Sequence, residues 1–159
     1  MAEQTKVKTL EKVVIRFSGD SGDGMQLTGT IFSNLSAVFG NEISTFPDYP
    51  AEVRAPQVHL GSRKIFTPGD KADVLVAMNP AALKVNVKHL KPNAIVLIDT
   101  DSFKKSDLDK ALFTTDDPFT ELGLTGVQVV AAPISTMVKD GLVEFGLDNK
   151  SALRCKNMF

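Results

Sequence analysis

One cysteine in 159 residues, Cys155, removes two kinds of chemistry at the outset. It closes no intrachain disulfide, and a single thiolate does not hold an iron–sulfur cluster. No apolar run reaches the length of about 18 residues that crosses a membrane. The N-terminus, Met1-Ala-Glu-Gln-Thr-Lys-Val-Lys8, lacks the apolar centre of a secretion signal. Excess charge is missing too: 18 basic side chains face 19 acidic ones, a net charge of -1. A nucleic-acid binder carries a basic stripe instead. No internal repeat or low-complexity tract interrupts the chain. What remains is a soluble, cytoplasmic chain, 43% hydrophobic, long enough for one domain with a real core.

Familiar catalytic signatures are also absent. There is no G-x-x-x-x-G-K-[ST] phosphate loop. There is no G-x-S-x-G, because Gly19-Asp-Ser-Gly22 is one residue short. His59 and His89 stand apart from any cysteine or carboxylate at ligand spacing, so structural roles are expected for both. Cys155 reads as a small packing residue. Lys84, Lys88 and Lys91 read as a solvated helix face, and Met78 and Met137 as core.

What is present starts at Val13. Val13-Val-Ile-Arg-Phe-Ser18 runs into glycines at 19, 22 and 24, and these run into a helix pattern from Met25. The β-branched residues suit a buried strand. The glycines permit positive φ and close approach of backbone to a ligand. The helix places Leu27, Ile31, Leu35 and Val38 on one face, predicted to meet the core. Its first N–H groups and its dipole offer a phosphate-sized site. The spacing is G-x-x-G-x-G, not the dinucleotide fingerprint, and Asp20 and Asp23 sit inside the loop. A carboxylate there opposes phosphate, but it suits a helix cap, a ribose hydroxyl or a metal. A tight turn capped by Ser21 or Asp23, with no ligand, fits the same residues. Gly22-Asp-Gly24 also matches the start of a thiamine diphosphate motif. The asparagine pair that motif needs is missing, so direct thiamine binding is not expected.

Further along, Glu42–Phe46 reads as a strand, followed by a stiff loop with prolines at 47, 50 and 56. Val58–Gly61 and Lys64–Thr67 read as a hairpin turning at Gly61-Ser62-Arg63. Asp73–Met78, Ala94–Ile98 and Val127–Ala132 read as buried parallel strands. Helices are expected from Pro80 to His89, capped by Asn79, from Lys104 to Leu112, capped by Ser106, and from Ile134 to Phe145. The predicted fold class is α/β: a single Rossmann-like three-layer domain, with a mainly parallel sheet and a short β-hairpin. The loops after the strands then share one edge, where ligands bind in such folds. Residues 1–11 read as a flexible N-terminus. Lys150–Phe159 looks helical and stops on Met158-Phe159 with no stop signal, so the native chain is expected to continue.

Val14-Ile-Arg-Phe-Ser-Gly-Asp-Ser-Gly-Asp-Gly-Met-Gln-Leu-Thr-Gly29 resembles the gamma domain of 2-oxoacid:ferredoxin oxidoreductases. More narrowly, it is similar to the N-terminal part of the fused alpha subunit of the 2-oxoglutarate enzymes. Phe46–Gln57, Val76–Leu83 and Leu153–Phe159 extend the resemblance over residues 12–159, which would form the gamma-type domain. The resemblance implies oxidative decarboxylation of a 2-oxoacid, with electrons passed to ferredoxin and the acyl group to coenzyme A. Thiamine diphosphate, Mg and the iron–sulfur clusters would lie elsewhere in the complex. The partners implied are the thiamine-binding domains of the same enzyme, its beta subunit and ferredoxin, with no nucleic acid and no membrane. The implied coenzyme A-binding residues are Gly19, Asp20, Ser21, Gly22, Asp23, Gly24, Met25 and Thr28. No catalytic or metal-binding residue is expected in this chain, and no activity of it alone. Tyr49 and Arg54 are expected to face a partner domain. Gln57 runs directly into Val58 where the family usually carries a Gly/Ser-rich stretch, which points to a mobile loop missing from this sequence. Two other readings stay open: a purely structural interaction domain, and a free-standing Rossmann-type enzyme with Asp48 on a ribose.

Overall fold

The computed structural model describes residues 9–20, 22–46 and 53–158, with backbone alone at 53 and 54. The chain runs β1 (Lys12–Asp20), α1 (Met25–Val38), β2 (Glu42–Phe46), β3 (Val53–Arg54), β4 (Gln57–Gly61), β5 (Ala72–Ala77) and α2 (Pro80–Asn86). It continues through β6 (Leu90–Asp99), α3 (Lys105–Lys110), α4 (Pro118–Glu121), β7 (Gln128–Ala132), α5 (Ile134–Gly141) and α6 (Asn149–Leu153). A 3-10 segment, Arg154–Met158, follows α6.

Among the described residues the strands form one sheet in the order β2-β4-β1-β5-β6-β7. β1, β5, β6 and β7 run parallel, while β4 is antiparallel to both of its neighbours. β3 and β4 lie along the same side of β1, interrupted at Ala55-Pro56, where the Phe17 N–H donates to the Pro56 carbonyl at 3.0 Å. Proline has no N–H to return, so the ladder breaks there.

The alternation of β1 builds two cores. Val14 joins Leu75, Leu83, Val96 and Ile98 under α2, with Phe103 and Phe119 against them. Phe17 joins Met25, Val58, Leu60 and Met78 on the other face, under α1. The three-layer α/β expectation therefore stands, with helices on both faces of the sheet.

Several local expectations change. Leu27, Leu35 and Val38 do not meet the core: Val38 is 82% exposed, and α1 instead buries Met25, Gly29, Ser33 and Ser36. Small residues let this helix lie close to the sheet, and a Cβ on Gly29 would already touch Pro56 at 3.4 Å. Phe32 supplies the bulk by packing on Phe17, with ring centroids 5.6 Å apart. The hairpin forms only one strand. β4 is paired on both sides, so Lys64–Thr67 has no edge to join. That segment is held by side chains instead: His59 Nδ1 lies 2.7 Å from the Thr67 carbonyl, and Gln57 Nε2 donates to the Pro68 carbonyl at 2.9 Å. β4 runs unbroken through Gln57–Val58, opposite Arg16 and Ile15.

β7 is not buried. It is the last strand, and Gln128, Val129, Val130 and Ala131 are exposed. Met137 is exposed as well, whereas Met78 is core as expected. Asn79 caps α2 by accepting from the Ala82 N–H at 2.8 Å, with Pro80 in the first turn. Ser106 is not the cap of α3; Lys104 holds that place, and its N–H donates to Asp107 at 3.3 Å. Lys84 is not merely solvated: it donates to the carbonyls of Ala111 and Leu112 at the end of α3. Lys91 pairs with Asp73 at 2.8 Å. No helix among the described residues is long and apolar enough to cross a membrane.

Candidate functional site

The loops after β1, β5, β6 and β7 meet at one edge of the sheet, as parallel topology requires. After β1 the chain turns through Gly22, Asp23 and Gly24 into α1. The Asp23 N–H donates to the Asp20 carbonyl at 3.0 Å, and the Asp20 N–H donates to Asp23 Oδ2 at 2.9 Å. A side chain on Gly19 would meet that Asp23 oxygen at 2.7 Å, so glycine is needed there by space. Gly24 is needed by conformation, with φ at 69°. Gly22 has neither restriction: among the described residues nothing lies within 4 Å of a Cβ there.

The two loop aspartates are engaged within the chain. Asp23 turns back over the loop as described, and Asp20 Oδ1 accepts from Asn79 Nδ2 at 2.9 Å, tying the β1 loop to the start of α2. Burial pushes the Asp23 carboxyl up, partly offset by the Asp20 N–H bond and by Lys156. Asp20, Asp23, Asp101 and Asp107 line a groove of about 350 Å³, with Lys110 and Asn79 beside them. Four carboxylates against one ammonium make the floor of this groove unfavourable for phosphate.

Asp99, at the end of β6, is fully buried and serves as a hub. It accepts from Ser135 Oγ at 2.7 Å, Ser102 Oγ at 3.2 Å, and the N–H groups of Asp101 and Ser135 at 3.2 and 3.3 Å. Lys156 approaches its Oδ2 at 3.5 Å. The Thr136 N–H donates to Asp101 at 2.7 Å and holds that carboxyl below its ordinary range. The N-terminus of α5 is thus occupied by the chain's own carboxylates, and that of α2 by Asn79. At α1 the N-cap position is Gly24, which has no side chain to cap with.

The Arg154–Met158 segment folds back onto α1. Asn157 packs against Gly24 so closely that a Cβ there would lie 2.7 Å from Asn157 Nδ2, and Thr28 Oγ1 sits 3.4 Å from the Asn157 carbonyl.

A sequence profile for pyruvate ferredoxin/flavodoxin oxidoreductase matches residues 14–159. The chain belongs to that family. It is 43% identical over 160 residues to the 2-oxoglutarate oxidoreductase subunit KorA of Mycobacterium tuberculosis (strain ATCC 25618 / H37Rv), covering 94% of this chain and 24% of that subunit. Its fold matches a 2-oxoglutarate:ferredoxin oxidoreductase from Magnetococcus marinus, solved with 2-oxoglutarate, coenzyme A and succinyl-CoA bound. The TM-score is 0.70 at 27% identity, over 94% of this chain and 23% of that one. A keto/oxoacid ferredoxin oxidoreductase gamma subunit from Geobacter sulfurreducens PCA shares the fold, with a TM-score of 0.64 at 19% identity, over 89% of this chain and 70% of that one. The chain thus spans about a quarter of the length of its 2-oxoglutarate oxidoreductase relatives.

Within this domain, the structure brings Gly19, Asp20, Gly22, Asp23, Gly24, Met25 and Thr28 together at one helix start. Met25 contributes only backbone, since its side chain is core. Ser21, Asp48 and Tyr49 lie outside the described residues, and only the backbone of Arg54 is described. Sequence reasoning missed Asp99, Lys156 and Asn157 as neighbours of the loop. The signal was available for the last two, which lie inside the Leu153–Phe159 motif, but no local pattern says where that motif folds.

Proposed function

We propose that this chain is the gamma-type domain of a 2-oxoacid:ferredoxin oxidoreductase, set in a longer polypeptide, and that 2-oxoglutarate is the 2-oxoacid. Its loop from Gly19 to Gly24 receives the phosphate portion of coenzyme A, with Gly22, Gly24, Met25 and Thr28 offering backbone N–H and hydroxyl groups. Thiamine diphosphate, Mg and iron–sulfur clusters are held by other domains and by the beta subunit, and ferredoxin takes the electrons. The carrying observation is the tight turn into α1 at the ligand-binding edge of the sheet, closed by Asp23 on the Asp20 N–H and requiring glycine at 19 and 24. The relatives support the substrate: one is named for 2-oxoglutarate, and another was solved with coenzyme A and 2-oxoglutarate bound. The acidic groove beside the loop suits the neutral, hydroxyl-bearing parts of that ligand better than its phosphates.

An assembly role goes with this. α1 presents Leu35 and Val38 to solvent, the far edge of the sheet presents Val129 and Val130, and the turn after α5 presents Phe145. Apolar surface of this extent supports contact with other domains.

Gly22→Val tests the ligand reading. Gly24→Val does not, because φ at 69° and the Asn157 contact would disturb the fold by themselves. Among the described residues nothing lies within 4 Å of a Cβ at Gly22, so the added branch is placed to obstruct what enters the loop. In the full-length assembled enzyme, Gly22→Val should raise KM for coenzyme A roughly tenfold and leave KM for 2-oxoglutarate unchanged. An unaltered coenzyme A dependence would show that the loop is only a turn.

A further inference from the structure

The Leu153–Phe159 motif has no part in the loop's backbone chemistry, yet its 3-10 segment is folded against the loop. Three contacts define its position. Asn157 packs on Gly24, Thr28 Oγ1 meets the Asn157 carbonyl, and Lys156 reaches Asp99 at 3.5 Å. The Lys156 side chain is 13% exposed and Asp99 is 0% exposed, so the pair is almost dry. Asp23 is the second carboxylate that Lys156 acts on, and it is the residue whose oxygen closes the loop through the Asp20 N–H.

We propose that Arg154–Met158 clamps the glycine loop in its ligand-receiving shape, with Lys156 as the positioning residue whose ammonium neutralises the Asp99 and Asp23 carboxylates behind the loop. The clamp rests on the reading that the loop receives coenzyme A phosphate. Among the described residues the charged groups around Asp23 are Asp20 from its own loop, Asp99 from β6 and Lys156 from the tail, with Asp101, Asp107 and Lys110 lining the same groove. Without Lys156, the buried Asp99 and the half-buried Asp23 carboxylates are left without their shared cation, and Asp23 takes up a proton more readily or moves. Protonated Asp23 is a poorer acceptor for the Asp20 N–H, and the loop loosens. Asn157 adds a mechanical stop: it fills the space above Gly24, so a shift of the tail releases the residue that starts α1.

The test compares Lys156→Met with Lys156→Arg in the full-length enzyme, assembled with its partner subunit. Steady-state kinetics and calorimetric titration with coenzyme A would be followed from about pH 5 to about pH 8. Lys156→Met should raise KM for coenzyme A by roughly tenfold, with kcat and KM for 2-oxoglutarate held. The acid limb of its coenzyme A profile should move to higher pH. Lys156→Arg should restore wild-type behaviour. If Lys156→Met does not fold, the double variant Lys156→Met with Asp99→Asn leaves no carboxylate pair behind the loop, and it should bring KM for coenzyme A back toward the wild-type value; a KM that stays raised would overturn the clamp. Weaker thermal stability with unchanged coenzyme A affinity and pH profile would reduce the tail to packing and overturn the clamp. Gly22→Val measured alongside separates the two readings. An effect there without one at Lys156 removes the clamp alone, and no effect at Gly22 removes the ligand.

Discussion

Asp23 shows how much one side chain has to reconcile. Its side-chain oxygen accepts from the Asp20 N–H, but burial raises its pKa above the ordinary aspartate value. A raised carboxyl pKa means that the native state keeps a proton the unfolded chain has already lost. Stability from this group therefore falls as pH rises through the window between the two values, and the penalty persists at neutral pH. Asp23→Asn keeps an oxygen for the Asp20 N–H and removes the charge. It should raise Tm at pH near about 7 and give no gain below the ordinary aspartate range. Thermal melts at the two pH values check this, and equal Tm at neutral pH would show that the charge is not costly. Asp99 has more partners: two hydroxyls, two N–H groups and Lys156 surround it.

At the scale of elements, α1 has two apolar-capable faces and uses the less obvious one. Gly29, Ser33 and Ser36 face the sheet, with Ser33 Oγ returning its hydrogen bond to the Gly29 carbonyl at 2.7 Å. The face with Leu35 and Val38 is exposed. Leu35→Asp together with Val38→Asp should change the thermal stability of this chain by less than about 1 kcal/mol, since both positions are exposed already. The same pair should weaken assembly of the full enzyme, read by sedimentation. Unchanged assembly would leave this face a solvated one. α2 illustrates the opposite case: Asn79 and Pro80 announce the helix start in sequence, and the structure places the cap there.

For the whole molecule, the sheet separates two cores and gathers every loop of interest at one edge. Among the described residues no cluster of three or more histidine, cysteine or acidic side chains is arranged to hold a metal ion. The purified chain alone is expected to show no 2-oxoacid oxidoreductase activity and no visible cluster absorbance after reconstitution with iron and sulfide. Stoichiometric cluster absorbance would contradict the placement of redox chemistry in other domains.

The apolar runs of β1, β5 and β6, the glycine turn and the α2 cap were legible in the sequence, because each is encoded within a few neighbouring residues by periodicity, branching or capping chemistry. Family membership was legible for the same reason, through motifs of contiguous residues. Three matters were decided only by tertiary structure. Pairing on both sides of β4 denied Lys64–Thr67 a strand, which no property of those residues reveals. The end position of β7 left an apolar strand exposed, although it reads like the buried ones. The return of Lys156 and Asn157 to a loop at the other end of the chain depends on how α5 and α6 pack. Contacts between residues so far apart are selected by the collapse of the whole domain, and a local pattern carries no record of them.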